Sequence, residues 1–247
     1  MDALPALWIV FAAFFAAGSV KGIASVGLPM TALGILTFVT DPRTAFACAL
    51  CPIIASNAIQ IWRAGDQVEA LKRYWPFIVC MVIGIPLTLA ATIEASDQLL
   101  MGVLGAVVLI FVAINITSWA PRISDNWDRA AQIGFGSGAG LLGGLTSIWL
   151  PAIMIYLLAR DTSKEEFVRA TGLLLFTGSL PLFAGYVAAG FLTGPLALLS
   201  LVLILPTWAG MALGAQFRGK LSEQAFRKVL LVVFALIGLN LIRRAML

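Results

Sequence analysis

Apolar runs of eighteen residues or more recur from one end of this 247-residue chain to the other, which leaves few folds open to it. A run of that length matches the hydrocarbon core of a bilayer, which takes about twenty residues of helix at 1.5 Å per residue. Composition closes off the water-soluble alternative. Hydrophobic residues make up 61% of the chain and charged ones 11%, where soluble domains carry roughly 25% charged. The mean hydropathy of +1.00 agrees. The expected class is an all-α polytopic membrane protein.

Other classes are excluded by what is missing. The chain has no histidine, so the commonest metal ligand and general base are absent. No HExxH, no GxSxG and no paired intramembrane carboxylates occur, so neither an enzyme nor a cofactor is expected. Cys48 and Cys51 form a CxxC, but inside an apolar run, where small residues spaced i, i+3 read as packing. The net charge of +4 comes from short loops and reports topology rather than a nucleic-acid partner. The opening MDALPALWIV lacks the basic stretch of a cleaved signal peptide, so the first apolar segment is expected to belong to the mature chain.

Polar breaks divide the chain into eight apolar segments, at 4–39, 43–62, 74–93, 98–119, 130–159, 168–189, 196–217 and 226–243. The first and fifth are overlong and are cut by glycines and a proline. GSVKGIASVGLP (18–29) aligns with GLLGGLTSIWLP (140–151), placing Gly22 on Gly144, Ser25 on Ser147 and Pro29 on Pro151. Ser56 then falls on Ser179, Ile85-Pro86 on Leu205-Pro206, and Ser96-Asp97-Gln98 on Ser222-Glu223-Gln224. The order is that of a repeat, with halves at 1–122 and 123–247 forming one membrane domain.

Loop charge sets the orientation of the halves. If every segment crosses once, the loop cations divide seven against eight, with no bias. If the first and fifth segments are hairpins returning to their own side, twelve fall on one side and only Arg43, Arg243 and Arg244 on the other. The positive-inside rule prefers the second arrangement. It inverts the halves, each a broken-helix hairpin plus three transmembrane helices, and puts both termini outside. Residues 130–138 and 151–159 have the length of half-span hairpin arms. A full two-pass reading of the longer first segment stays open. Trp62, Trp75, Trp119 and Trp127 lie at segment ends, as interface anchors do. Trp149 and Trp208 sit deep, as packing or cavity wall.

Backbone broken at membrane depth is tolerated where it lines a cavity, and inverted repeats place substrate there. Lys21 is the only charge deep in any apolar segment, and a buried lysine needs a counter-charge or water. All twelve carboxylates lie in loops or at segment ends, which points to an anionic substrate; the alternative is a lysine snorkelling to the cytoplasmic face. Candidate binding residues are Lys21, Gly22, Ser25, Ser56, Asn57, Gly144, Thr146, Ser147, Thr177 and Ser179, with Gln60 extending the same lining. Hydroxyls and amides on these segments equally suit interhelical hydrogen bonding, and the glycines at 134–144 equally suit close packing.

KGxxxxGLP (21–29), PxxxxNxxQ (52–60) and the glycine-rich stretch ending in Pro151-Ala152 together resemble the sulfite exporter TauE/SafE family, also called the toluene-sulfonate uptake permease family. The resemblance covers nearly the whole chain. It implies transport of sulfite, sulfonates, sulfoacetate or related anions across the bacterial inner membrane. The expectation is a secondary transporter, an exporter by alternating access, with an anion channel as the alternative. Its partners are then a small anion and the lipid bilayer, and a homo-oligomer is compatible with the sequence.

Overall fold

The structure, a computed structural model, describes residues 7–117, 122–217 and 223–246. Trp119 and the 218–222 part of the basic 218–227 loop lie outside the described residues. The described residues form α-helices joined by short turns, with no strand among them. In chain order the helices are α1 (Leu7–Ala24), α2 (Leu28–Leu36), α3 (Pro42–Ala64), α4 (Gln67–Glu94) and α5 (Asp97–Thr117). The second half has α6 (Asp128–Thr146), α7 (Leu150–Ala159), α8 (Lys164–Ala188), α9 (Gly194–Val202), α10 (Ile204–Phe217) and α11 (Glu223–Ala245). Among the described residues, six spans are long and apolar enough to cross a membrane: α1, α3, α4, α5, α8 and the α9–α10 pair. Leu7, Ile83, Leu87, Ile110 and Leu205 project outward from these helices, where a bilayer would receive them.

Both overlong segments are broken helices, but each has a long arm and a short one. α1 and α6 have 18 and 19 residues, and α2 and α7 only 9 and 10. At 1.5 Å per residue the long arms reach about 27–29 Å and the short ones about 14–15 Å. The expectation of a nine-residue arm at 130–138 is therefore corrected: the helix continues to Thr146. The glycines there do not break it: Gly136, Gly140 and Gly144 are taken up in packing, and Gly134 and Gly138 face open space within the helix. Segment 196–217 also differs from a single helix, dividing at Leu203. Pro206 has no N–H to give the carbonyl of Val202, which loosens the turn at that point.

Lipid tails are as apolar as leucine, so helices in a membrane associate by close contact rather than by escape from water. Gly136 lies against Phe77, Gly140 against Met81 and Gly84, and Gly144 against Ile85 and Leu89. α4 and α6 thus run in the same direction with their backbones nearly touching. Thr88 and Thr92 cross the seam, their hydroxyls donating to the carbonyls of Gly140 at 3.1 Å and Gly144 at 2.8 Å. The same construction joins α1 to α10, with Gly18 on Thr207 and Gly22 on Met211 and Gly214, again running in the same direction. α5 and α11 pair in opposite directions, with Gly102 on Ala245, Gly105 on Leu241 and Leu109 on Gly238. α4 and α8 run together, from Glu69 near Arg169 to Leu89 on Gly185.

Proline and serine cooperate at the centre of α3. Pro52 leaves the Cys48 carbonyl without its helical donor. The Ser200 hydroxyl of α9 donates to that carbonyl at 3.0 Å and accepts from the Cys51 N–H at 3.1 Å. Cys48 and Cys51 are buried in this contact, as the packing reading expects. Trp62 and Trp127 are exposed at helix ends, and Trp75 is exposed two turns inside α4. Trp208 is 43% exposed and faces outward, so it is not a cavity wall.

Candidate functional site

Each break has the same local chemistry. α1 ends at Ala24, Ser25 closes the last turn by donating its N–H to the Lys21 carbonyl at 2.7 Å, and Gly27 turns the chain at φ 94°. Pro29 then sits in the first turn of α2, where its missing N–H costs nothing. In the second half, Ser147 donates its N–H to Gly143 at 2.9 Å and Pro151 opens α7. Ser25 and Ser147 both hold left-handed backbone, at φ 66° and 58°. A serine in that region costs roughly 1–2 kcal/mol that glycine would not. The Thr146 hydroxyl fastens the second break, donating to the Leu142 carbonyl at 2.7 Å and accepting from the Ile148 N–H at 3.2 Å.

The two breaks, far apart in sequence, meet. Gly27, Pro29 and Met30 from the first, and Ser147, Ile148 and Trp149 from the second, line one cavity of about 20 Å³. Lys21, Ser56, Asn57 and Leu175 complete it. The first N–H groups of a helix have no acceptor within it, so Leu28 and Met30 on α2, and Leu150 and Ala152 on α7, give this space the positive ends of two short helices. Trp149 closes one wall, its indole N–H donating to the Leu174 carbonyl at 3.2 Å. Gly178 makes the room, since a Cβ there would come within 2.8 Å of the indole.

Lys21 lies one turn before the first break and is 4% exposed. Its ammonium donates to the Ser56 hydroxyl at 3.1 Å and to the Asn57 side-chain carbonyl. Ser56 in turn donates to the Ile53 carbonyl at 3.0 Å. Among the described residues no carboxylate pairs with Lys21; the ion pairs lie at helix ends. A positive charge held by neutral dipoles, beside two helix N-termini, is suited to receive an anion. The Ser147 hydroxyl is buried and stands near that of Tyr186, but neither reaches a partner in hydrogen-bonding geometry.

The structure divides the residues singled out from sequence. Lys21, Ser56, Asn57 and Ser147 converge on the cavity. Gly22 and Ser25 line a second, larger space of about 250 Å³ that opens beside Gln60, Arg63 and Val168 and has Lys21 in its wall. Gly144 belongs to the α4–α6 seam, and Thr146 fastens the break. Thr177 and Ser179 donate to carbonyls of their own helix, Leu173 at 2.9 Å and Phe176 at 2.6 Å, and neither lines the cavity. Sequence reasoning did not single out Tyr186 or Ser200. A tyrosine near a helix end looks like an interface anchor, and Ser200 gains its role only by facing Pro52.

No curated protein and no solved structure matched the chain. The family model described as sulfite exporter TauE/SafE matches residues 10–241. That is nearly the whole chain, including both breaks, Lys21 and the cavity wall, and the protein therefore belongs to this family of membrane transporters.

Proposed function

We propose that the protein is a secondary transporter that exports a small sulfur-containing anion, such as sulfite or an organosulfonate, by alternating access at the cavity between the breaks. One observation carries this reading: both helix breaks meet at a buried lysine whose partners are neutral. The anion would take the ammonium of Lys21 as its counter-charge, with the N-termini of α2 and α7 and the unpartnered hydroxyl of Ser147 as donors, while Ser56 and Asn57 hold the ammonium in place. A cavity of about 20 Å³ holds roughly one water, so it must widen to admit an oxyanion. Moving a monoanion outward needs no proton relay, because an inside-negative potential supplies about 2.3 kcal/mol per charge per 100 mV.

Helix directions support inverted halves, α1–α5 and α6–α11. α1 runs with α10, α6 runs with α4, and α5 opposes α11. The ends of α1, α3 and α10 meet the start of α8 at the larger space, so these three run opposite to α8, which runs with α4. Together these give α1 and α6 opposite directions. The contact of α1 with α10 then repeats as α6 with α4, and that of α3 with α9 and α10 as α8 with α4. With the positive loops inside, the termini lie outside, in a bacterial inner membrane. The larger space opens at Arg63 and Val168, on the positive side, which makes this an inward-facing form.

The test is efflux of labelled sulfite and of an organosulfonate from proteoliposomes, with counterflow measured in the same preparation. Saturable flux with exchange is expected. Flux without exchange would make the protein a channel, and no flux of any sulfur anion by folded protein would remove the assignment.

A further inference from the structure

We propose that the inner vestibule is itself an anion-binding site, a station formed by Gln60 and Arg63 that holds a small oxyanion before it reaches Lys21. This rests on the reading of the protein as an anion transporter. The vestibule is about 250 Å³, room for an anion with part of its hydration shell at roughly 30 Å³ per water. Its described lining contains Lys21 and Arg63 but no carboxylate. Gln60 and Arg63 are three residues apart on α3 and so share a face, and Asn57 and Ser56 continue that face to Lys21.

Two observations point to a ligand rather than a passage. Both amide atoms of Gln60 are buried without a hydrogen-bond partner, which is costly unless a ligand or water supplies one. Gly172 of α8 leaves the amide its space, since a Cβ there would come within 3.3 Å of the Gln60 Cγ. Three other helix-end cations carry ion pairs: Arg43 with Asp97, Arg160 with Asp125 and Asp128, Arg169 with Glu69 and Glu166. Arg63 has no such ion pair among the described residues. The vestibule thus combines an unspent guanidinium with an unpaired amide donor.

Exposure separates the two stations experimentally. Arg63 is exposed, so its field is screened once the Debye length falls from about 30 Å at 0.01 M salt to about 3 Å at 1 M, while buried Lys21 is screened much less. Sulfite efflux is measured in proteoliposomes for the parent, Arg63→Gln, Arg63→Lys, Gln60→Leu and Lys21→Ala, in low and high potassium gluconate. Each variant is checked for a parental thermal profile. Arg63→Gln should raise KM about three- to tenfold at low salt, with kcat unchanged, and converge on the parent at high salt. Arg63→Lys should keep most of the effect, and Gln60→Leu should raise KM about threefold at either salt. Parental KM in Arg63→Gln and Gln60→Leu at low salt, with Lys21→Ala impaired, overturns the station alone. Parental behaviour in all three removes the Lys21 site as well.

Discussion

Replacing Lys21 with alanine tests the centre of the mechanism. Lys21 is 4% exposed, and its ammonium makes hydrogen bonds to Ser56 and Asn57 but no described ion pair. If Lys21 holds the anion, as proposed, it would supply a charge-assisted contact worth about 1.5–3 kcal/mol. Its loss should weaken sulfite binding roughly ten- to a hundredfold, at about 1.4 kcal/mol per tenfold. Stability should change much less. Removing an intramembrane charge recovers about 2.5–3.5 kcal/mol of insertion cost, which offsets the 1–3 kcal/mol of leaving Ser56 and Asn57 short of a partner. Lys21→Arg should also bind poorly, because a broad planar fork replaces a compact point charge beside a cavity of about 20 Å³. The assay is sulfite titration of purified protein by thermal shift, paired with efflux from proteoliposomes. Unchanged affinity in Lys21→Ala, with Lys21→Arg equal to the parent, would falsify the anion-site role and leave a lysine that only orients its helix.

Other consequences follow from the same geometry. Gly136→Ala should lower stability by about 1–3 kcal/mol, since its Cβ would come within 2.5 Å of the Phe77 carbonyl. Gly134→Ala and Gly138→Ala, with nothing within 4 Å, should be neutral or stabilising by up to about 1 kcal/mol; thermal unfolding in detergent reads all three. Ser147→Gly should raise the unfolding temperature by relieving the left-handed serine while slowing transport, and bulky Ser147→Leu should stop transport in protein that still reaches the membrane. Single cysteines at 95–96 and at 161–163, labelled with an impermeant reagent, should react from opposite sides; reaction from the same side rules out the inverted halves.

What the sequence could show was set by local chemistry. The breaks at 25–29 and 147–151 were legible because a proline opening a helix after glycine or serine has few other readings. Lys21 was legible because a lone charge in an apolar run has to be answered by something. Gly136, Gly140 and Gly144 were ambiguous, since glycine serves equally as breaker or as contact. Only α4 passing with Gly84 and Phe77 decided for contact. Thr177 and Ser179 have hydroxyls suited to a site, yet each is satisfied one turn away on its own helix, an outcome that spacing cannot distinguish. The vestibule was hidden for a different reason. It is a gap where α1, α3, α8 and α10 fail to close, and no single segment encodes a gap.

The glycine seams also bear on how such a chain is made. α1 emerges from the ribosome early, but the surface its glycines fit, Thr207 to Gly214 on α10, is synthesised only after most of the chain. α5 likewise waits for α11, whereas Ser56 and Asn57, the partners of Lys21, lie on α3 and are synthesised soon after it. The charge is therefore sheltered early and the scaffold locked late. Expressed alone, residues 1–122 would hold the lysine with its neutral partners but leave the faces of α1, α4 and α5 without mates. The halves should then depend on each other in the bilayer: two fragments co-expressed would reassemble, and either by itself would be cleared by membrane quality control.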